Sequence, residues 1–444
     1  MIILGLGSNL DNRLANLRLA LQYIKQLEHI TIKRVSPVYI SDAQLPDNAS
    51  SNWNIPYLNA AIACETTLEP LDLLNKLQHI EKLIGREKNN DRWAPRKIDI
   101  DILAWDDHVI QHDRLTIPHP HLLNRPFALW PLVDVAPQWM FPSVKTKQQQ
   151  SAAEIVEQWG SRFTSNAPFH TRQLNQRIDT PQLVGILKIT PDSFTDGGLY
   201  LQAEKAYDQA MLLIQSGADV LDIGAESTQP NAMPIDTKTE WSRLEPVITA
   251  IMTAKKNLII PPIISIDTNH HDIARHVIDA GVDWINDQTG GDDLTMRQII
   301  AESKVKYVIM HHLSIPERRD HHLPRDYNLI SSIMQWGEQR LRDLEQAGID
   351  RQRIIFDPGI GFGKLAEQSL TVLQKVNTFT KLNTPILIGH SRKSFMSSFT
   401  QYPSAERDIE TIAISLALAN KNIDYLRVHH VDLHARAFKA AALI

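Results

Sequence analysis

The sequence predicts an α+β domain followed by an α/β domain that closes into an eight-stranded (β/α)8 TIM barrel. Two observations support this order. Up to about residue 163, strands of alternating polarity mix with amphipathic helices. After Pro181, eight short apolar runs recur with helical segments between them over about 260 residues, which is the rhythm and the length of a TIM barrel.

Length and composition limit the class of protein. The chain has 444 residues, which suggests two or three domains, and its 43% hydrophobic content is enough for large cores. A formal net charge of −5 gives no reason to expect nucleic-acid binding. Cys64 is the only cysteine, which excludes an intramolecular disulfide and a zinc ribbon. No stretch approaches a membrane span, and the opening "MIILGLG" is too short for a signal peptide, so we expect a cytoplasmic protein.

The elements of the first domain follow from two periodicities. Alternating polarity predicts strands at "MIILGLGS", "YLNAAIACET" and "KIDIDILAW". The segment Pro70–Ile84 has helical spacing and should place Gln78 and Glu81 on a polar face. Its predicted buried face consists of Leu73, Leu74, Leu77, Ile80 and Ile84.

Asp99 and Asp101 alternate with isoleucines in the segment "RWAPRKIDIDIL". On a strand the two carboxylates share one face, roughly 7 Å apart, and the isoleucines face a core. One interpretation is a solvated strand face flanked by lysine and arginine. The other is a pair of Mg²⁺ ligands, with a phosphate substrate completing the octahedron. The second interpretation fits the nearby cationic side chains, which suit a polyphosphate: Arg92, Arg96, Arg114, His119 and Arg125.

A polar stretch over residues 143–181 separates the two domains. It contains "KTKQQQ", a short helix "SAAEIVEQW" and the aperiodic "TSNAPFHTRQLNQRIDTP". We therefore predict a first domain over residues 1–163, a linker over 164–180 and a barrel over 181–444.

The eight apolar runs of the barrel are each followed by polar residues. The runs are "LVGILKI", "DVLDI", "PIISID", "DWIND", "KYVIM", "RIIFD", "PILIG" and "DYLRV". In a TIM barrel the chemistry sits at the C-terminal ends of the strands. The polar residues at or just beyond those ends are Asp222, Asp267, Asn286, His311, Asp357, Ser391 with Lys393, and His429.

Four motifs of the first domain resemble those of the 6-hydroxymethyl-7,8-dihydropterin pyrophosphokinase family: "GLGSNL", "YLNAAI", "RWAPRKIDIDIL" and "RLTIPHPHLLNRPFALWPL". The resemblance implies a ferredoxin-like α+β fold and transfer of pyrophosphate from ATP to the pterin hydroxymethyl group. It implies that Asp99 and Asp101 hold two Mg²⁺ ions and act in catalysis with Arg96. It further implies pterin contacts from Tyr57, Asn59 and Phe127. The implied contacts with ATP are Gln78, Glu81, Arg86, Trp93, Arg96, Ile102, Arg114, Thr116, His119 and Arg125.

The segment Ser41–Pro56 departs from this family. The family carries a Thr-Pro-Pro type motif after the tyrosine that matches Tyr39, and this chain has a longer segment without it. The segment is rich in Asp, Asn and Ser and lies beside a site that must exclude water, so we expect a mobile lid that orders when ATP and pterin bind.

The barrel motifs resemble those of dihydropteroate synthase: "GILKITPDSFTDGG", "DIGAESTQP", "SIDT", "IND", "FDPGIGFGK", "IGHSRKS" and "RVHHV". The resemblance implies that p-aminobenzoate displaces pyrophosphate from the dihydropterin. It implies pterin contacts from Asp267, Asn286 and Asp357. The residues implied to hold pyrophosphate are Ser227, Thr228, Arg427 and His429. Lys393 would contact the pterin near the amine substrate and, with Arg427 and His429, would act in catalysis.

Two residues depart from the synthase family. The family has Asn at the position of Lys188 and Arg at the position of Gln229. Because one cation is lost and one is gained beside the leaving group, we expect a functional synthase with a weaker dependence on Mg²⁺.

Three functional interpretations follow. The first is a bifunctional folate-pathway enzyme that uses Mg²⁺ and the small molecules ATP, hydroxymethyldihydropterin and p-aminobenzoate, with no nucleic-acid or membrane partner. The second is an active kinase fused to an impaired pterin-binding barrel. The third is a barrel that transfers methyl groups, against which "TPDSF" and "SRKS" favour the synthase. The sequence leaves open whether the protein forms a homodimer through the barrel.

Overall fold

The computed structural model describes residues 1–86, 93–142, 150–189, 199–226, 234–315, 318, 321–325 and 328–443. The chain divides into two compact units. The first unit contains Met1–Asp179 with the last few residues of the chain, and the second contains Thr180–Ala441.

The first unit is an α+β fold built on one antiparallel sheet. Its elements are β1 (Ile2–Ser8), α1 (Arg13–Gln26), β2 (Ile30–Val35), β3 (Tyr39–Ser41), β4 (Tyr57–Thr66), α2 (Pro70–Ile84), β5 (Asp99–Trp105), β6 (Ile110–His112), β7 (Leu115–Ile117), α3 (Pro126–Val135), α4 (Ala152–Val156) and β8 (Arg172–Gln173). The sheet order is β5-β1-β4-β3-β8, and β2 also pairs with β4. The predicted α+β class is confirmed, and the fold is consistent with the ferredoxin-like expectation.

Helices cover this sheet through the apolar faces that the periodicity predicts. The helix α2 has the predicted bounds, and Leu73, Leu77, Ile80 and Ile84 are buried, whereas Leu74 is only half-buried. The helices α1 and α2 pack on each other. The helices α3 and α4 share a core cluster with residues of β1 and β4, among them Ile3, Ala61 and Ala63.

Most of the segment that the sequence predicts as a linker lies within the first unit. Its strand β8 pairs antiparallel with β3, with Gln173 opposite Tyr39 and Arg172 opposite Ile40. The Arg177 side chain is buried and donates to the carbonyl of Val35 at 2.7 Å. Residues 164–179 therefore belong to the first unit.

The second unit is a (β/α)8 barrel in which every strand is followed by a helix, as predicted. Its elements are β9 (Gln182–Lys188), α5 (Leu199–Gln215), β10 (Val220–Gly224), α6 (Thr237–Lys255), β11 (Ile263–Asp267), α7 (His271–Asp279), β12 (Trp284–Asp287), α8 (Leu294–Glu302), β13 (Lys306–Met310), α9 (Leu329–Gln346), β14 (Ile354–Asp357), α10 (Ala366–Gln374), β15 (Leu387–Ile388), α11 (Asp408–Ala419), β16 (Tyr425–Val428) and α12 (Val431–Ala441).

All eight strands are parallel, in the order β14-β13-β12-β11-β10-β9-β16-β15. A bridge between Phe356 and Ile386 joins the two ends and closes the barrel. An apolar cluster takes one side chain from each strand, and all but Ile263 of these side chains are buried. The cluster consists of Val184, Val220, Ile263, Trp284, Val308, Ile355, Leu387 and Tyr425.

Candidate active sites

In the first unit, Asp99 and Asp101 project from β5 into a cavity of about 320 Å³. Ile100 and Ile102 alternate with them and are buried. The period of two therefore places both acids on the cavity face and the isoleucines in the core, as predicted.

Two arginines hold Asp99. Arg86 Nη1 donates to Asp99 Oδ1 at 2.7 Å, and Arg96 Nη1 donates to Asp99 Oδ2 at 3.1 Å. Arg86 also pairs with Glu81, whose Oε1 accepts the backbone N–H of Ile100 at 2.8 Å. These bonds fix the Asp99 carboxylate at the cavity wall and tie α2 to β5.

Glu81 corrects one expectation from the sequence. It is buried instead of lying on a polar helix face with Gln78. Burial raises the pKa of Glu81, although Arg86 and the N–H of Ile100 favour its charged form. The helical period predicts the face of α2 on which Glu81 lies. It does not predict that the carboxylate pairs with Arg86 and becomes buried.

Asp101 has a different environment. Its carboxylate keeps an exposed surface toward the cavity and receives no hydrogen bond or ion pair from any residue that the structure describes. The surrounding protein desolvates it, and the charges of Asp99 and Glu81 add to that effect, so its pKa is raised to about 7. A carboxylate in this position, beside a second one, suits a divalent cation.

The donor set fits Mg²⁺ in part. Over the described ranges, no group of three or more His, Cys, Asp or Glu side chains surrounds a metal position. Asp99 and Asp101 could therefore supply only part of the coordination shell. Mg²⁺ is commonly held by one or two carboxylates together with substrate phosphates and water, so this arrangement fits the ion.

The predicted pterin contacts lie together at the same cavity. The side chains of Tyr57 and Asn59 on β4 lie next to each other, beside Gly7 of β1. A Cβ atom added to Gly7 would lie 3.6 Å from the Tyr57 ring and 3.5 Å from Asn59 Oδ1. Asn59 Nδ2 donates to Ser41 Oγ at 3.0 Å. Phe127, at the start of α3, also lines the cavity.

Only some of the predicted ATP contacts line this cavity. Those that do are Arg86, Trp93, Arg96, His119 and Arg125. Arg114 Nη2 instead donates to Asn75 Oδ1 at 2.7 Å and lies 3.5 Å from Gln78 Oε1, beside α2. Thr116 is exposed on β7, and the Ile102 side chain is 3% exposed in the core.

Sequence reasoning missed the cavity residues of the segment after β3. Asp42, Gln44 and Leu45 all line the cavity, and Gln44 Oε1 is buried without a hydrogen-bond partner. No local period marks them, because their position depends on how the loop folds back over the sheet. The expectation that Ser41–Pro56 orders on ligand binding stays a prediction.

In the barrel, Asp267 at the end of β11 is the centre of a charged network. Lys188 Nζ donates to Asp267 Oδ2 at 2.6 Å, and Arg427 Nη2 donates to the same oxygen at 2.9 Å. Gln288 Nε2 donates to Asp267 Oδ1 at 2.7 Å. Burial opposes ionisation of Asp267, but Lys188 and Arg427 outweigh it and lower its pKa.

A second carboxylate, Asp222 on β10, shares this network. Arg427 Nε donates to Asp222 Oδ2 at 2.7 Å, and Asn286 Nδ2 donates to the same oxygen at 3.2 Å. Ser265 Oγ donates to Asp222 Oδ1 at 2.6 Å. Asp222 thus orients Asn286 and Arg427, two of the residues predicted to meet the substrate.

Asp357 and Lys393 lie close to Arg427. A Cβ added to Gly389 would lie 3.7 Å from Asp357 Oδ2, 3.9 Å from Lys393 Nζ and 3.9 Å from Arg427 Cδ. Burial raises the pKa of Asp357, while Lys393 and the N–H of Gly359 favour its charged form. The predicted pterin contacts of the barrel are therefore brought to one place.

His429 follows β16 and shares a hydrogen bond with Ser391, whose Oγ lies 2.9 Å from His429 Nδ1. Burial lowers the pKa of His429 to about 3, and the charges of Arg392 and Arg427 contribute, so the ring is neutral at pH 7. The predicted residues Ser227 and Thr228, together with Gln229, lie outside the described residues.

Family models match both units. The model described as 7,8-dihydro-6-hydroxymethylpterin-pyrophosphokinase matches residues 3–137, and the model described as pterin binding enzyme matches residues 184–429. A folate synthesis bifunctional protein from Chlamydia muridarum is 35% identical over 451 residues, which covers 99% of this chain and 97% of the relative. The chain belongs to the bifunctional folate-synthesis family. A member from Arabidopsis thaliana is 33% identical and covers 97% of this chain and 93% of its own.

Solved structures agree for the barrel. The dihydropteroate synthase of Anaplasma phagocytophilum, solved with bound 6-hydroxymethylpterin-monophosphate, is 39% identical with a TM-score of 0.54 and covers 60% of this chain and 99% of its own. The Xanthomonas albilineans enzyme, solved with 4-aminobenzoic acid, is 30% identical with the same TM-score and covers 60% of this chain and 94% of its own. Among the helices described here, none is long and apolar enough to cross a bilayer.

Lys188 is the one of the two departures from the synthase motif that lies among the described residues. The sequence alone predicts that it faces the leaving group, and in the structure its ammonium contacts Asp267, a predicted pterin contact. Its Nζ also lies 3.4 Å from the carbonyl of Glu226, two residues after β10. The expectation that Lys188 replaces the positive charge lost at Gln229 stays a prediction.

We expect Lys188→Met to raise the pKa of Asp267, because it removes the closest cation and leaves only Arg427. In the wild type, the two cations lower the pKa of Asp267, so its carboxylate stays charged at pH values where an ordinary aspartate takes up a proton. Its contribution to the stability of the fold is therefore complete at neutral pH and is lost only as the pH falls through the lowered pKa. Carbon NMR of labelled aspartate side chains would measure this, with the exposed Lys256→Met as control. An Asp267 pKa that is the same in Lys188→Met and wild type would contradict the assignment.

Proposed function

We propose that the first unit transfers pyrophosphate from ATP to 6-hydroxymethyl-7,8-dihydropterin and that the barrel condenses the product with p-aminobenzoate to give 7,8-dihydropteroate. The observation that carries the proposal is the cavity of the first unit. It combines two adjacent carboxylates, several arginines and a wall of aromatic and amide side chains. This combination suits a substrate pair of one polyphosphate and one flat, hydrogen-bonding ring.

The residues of the first unit have separate tasks in this reaction. Arg86 and Arg96 bear positive charge at the position of the transferring phosphoryl groups and hold Asp99 in place. Tyr57, Asn59 and Phe127 would hold the pterin so that its hydroxyl oxygen faces the β-phosphorus. Catalysis of phosphoryl transfer rests mainly on such positioning and on charge stabilisation, so few covalent steps involve the protein.

Asp99 and Asp101 would hold Mg²⁺, which neutralises the charge of the phosphates when it is bound. The geometry supports this assignment, since both carboxylates lie on one face of β5 and line the same cavity. Arg125 and His119 at the same cavity would contact the phosphates or the nucleotide.

The barrel residues suit displacement at a methylene carbon. The bond between that carbon and the pyrophosphate oxygen breaks, and the amine nitrogen of p-aminobenzoate forms the new bond and loses a proton. The acceptors Asp267 and Asp357 would bind the N–H groups of the pterin edge, and Arg427 and His429 would lie near the departing anion. A buried set of acceptors rejects rings that lack the matching donors.

We propose small-molecule partners only, a cytoplasmic location and a homodimer through the barrel. Two features support the first two: the modest negative charge and the buried thiol of Cys64. Sedimentation of the full chain, with sequence changes on exposed barrel helices, would test the third. The relatives are bifunctional over nearly the whole length of this chain, so they give no support to an impaired barrel.

Asp99→Ala and Asp101→Ala should each abolish AMP formation from ATP and hydroxymethyldihydropterin. One remaining carboxylate cannot hold both of the two proposed Mg²⁺ ions, so the charge of the transferring phosphates would be incompletely neutralised. The matched control is Asp107→Ala, because the Asp107 side chain is 98% exposed and lies two residues beyond β5. All three variants should form dihydropteroate normally when they are given the pyrophosphate ester directly. Near-normal AMP production by either site variant would remove the metal assignment.

The barrel should form dihydropteroate as it stands, despite Lys188 and Gln229. Lys188→Ala should reduce the rate, because it removes a cation from the charged network around Asp267. Restoring the family pattern with Lys188→Asn plus Gln229→Arg should give an active enzyme with a stronger dependence on Mg²⁺. An inactive wild type whose activity is restored by the double change would show that compensation does not occur.

A further inference from the structure

The segment Pro168–Gln173, which follows α4 and includes β8, contacts the loop that borders the pterin side of the cavity. We call these six residues the β8 segment. It lies between the two matched family regions, since the pyrophosphokinase model ends at residue 137 and the pterin-binding model begins at residue 184. Nothing in either motif set assigns it a role.

The first contact is with the backbone and side chain of Asp42. The N–H of Asp42 donates to the carbonyl of Phe169 at 2.8 Å. His170 Nδ1 lies 2.5 Å from Asp42 Oδ2, which makes a second bond to the same residue. Asp42 lines the cavity, and Gln44, two residues later, has a buried side-chain oxygen without a hydrogen-bond partner. These bonds fix the loop at the point where it turns over the cavity.

The second contact is with the aromatic wall. The Phe169 ring meets the Phe127 ring edge to face, with centroids 5.5 Å apart and planes at 71°. Phe127 is the ring that is proposed to hold the pterin. Edge-to-face pairs of this kind add about 0.5–1.5 kcal/mol beyond the burial of their area. Phe169 therefore supports Phe127 through a direct ring contact.

The third contact continues the sheet. Gln173 pairs with Tyr39 and Arg172 with Ile40, directly before Ser41 at the cavity. Gln173 Nε2 also donates to the hydroxyl of Tyr39 at 3.0 Å, and that hydroxyl donates to Asp134 Oδ2 at 2.6 Å. β8 is thus the neighbour that fixes the outer edge of β3.

The backbone of the β8 segment is strained where it makes the first two contacts. Phe169 and His170 have φ values of 59° and 44°, which for residues with a side chain cost about 1–2 kcal/mol each. Such conformations persist only where the surroundings hold them, and they concentrate at ligand clamps. The strain occurs at the two residues that contact Asp42 and Phe127.

We propose that Phe169 and His170 are positioning residues of the pyrophosphokinase: they hold Phe127 and the Asp42 loop in the geometry that binds the pterin. The proposal rests on the proposed function of the first unit. It implies that the kinase site of this chain is completed by residues outside the region that defines the kinase family.

The test uses the full chain and compares Phe169→Ala and His170→Ala with Phe163→Ala. Phe163 is the matched control, because it lies five residues before the β8 segment and its side chain is 68% exposed. We expect Phe169→Ala to raise the KM for hydroxymethyldihydropterin about tenfold, the equivalent of about 1.4 kcal/mol. We expect His170→Ala to raise it about threefold, because the pair between His170 and Asp42 is exposed. The KM for ATP and the rate of the barrel should stay within about twofold of wild type, and Phe169→Tyr should restore pterin affinity, since it keeps the ring.

The Kd of 6-hydroxymethylpterin, measured in the presence of Mg²⁺ and a non-hydrolysable ATP analogue, separates this proposal from the proposed function. Weaker pterin binding in Phe169→Ala and His170→Ala, with Phe163→Ala unchanged, supports the positioning role. Absence of AMP formation by the wild type would contradict the proposed function but would leave that result on binding intact. Equal Kd values in all variants would overturn the positioning role. An equal loss of ATP and pterin affinity would also overturn it, because that result indicates a general loss of structure.

Discussion

Pairing between arginine and carboxylate is the interaction on which both sites depend. A carboxylate at the mouth of an apolar sheet or barrel loses hydration and must find compensating charge. In the barrel, Arg427 bridges Asp222 and Asp267, and burial of the guanidinium is outweighed by these anions, which raise its pKa. In the first unit, Arg86 joins Glu81 to Asp99. Each guanidinium fixes two acids at once, so the geometry of the site follows from one side chain.

The exception to this pairing marks the proposed position of the metal. Asp101 lies two residues from Asp99 on the same face, yet the described arginines contact Asp99 and leave the Asp101 carboxylate facing the cavity. The contrast between the two acids is therefore one of partners, not of residue type. The Asp101 carboxylate therefore lies in a cavity that arginines also line. A complex of Mg²⁺ and a polyphosphate would complement this arrangement.

Strong periodicity made much of the fold predictable. The helix α2 and the strand β4 have the bounds that the pattern indicates, and each of the eight apolar runs overlaps a barrel strand. The strand ends then bring Asp267, Asn286 and Asp357 together, because parallel strands in a barrel end at one face. Contacts between distant residues were not predictable in the same way. Lys188 and Asp267 are 79 positions apart, and nothing local indicates their ion pair. Burial of Glu81 and the pairing of β8 with β3 depend on tertiary partners in the same sense.

The central claim is that one chain catalyses two consecutive steps at two separate sites. The most direct measurement is dihydropteroate formation by the purified full chain from ATP, hydroxymethyldihydropterin and p-aminobenzoate, in wild type and Asp101→Ala. We expect product from wild type, none from the variant, and product from the variant once the pterin pyrophosphate ester is supplied. A wild type that makes AMP but no dihydropteroate, or a variant that the ester does not restore, would contradict the central claim.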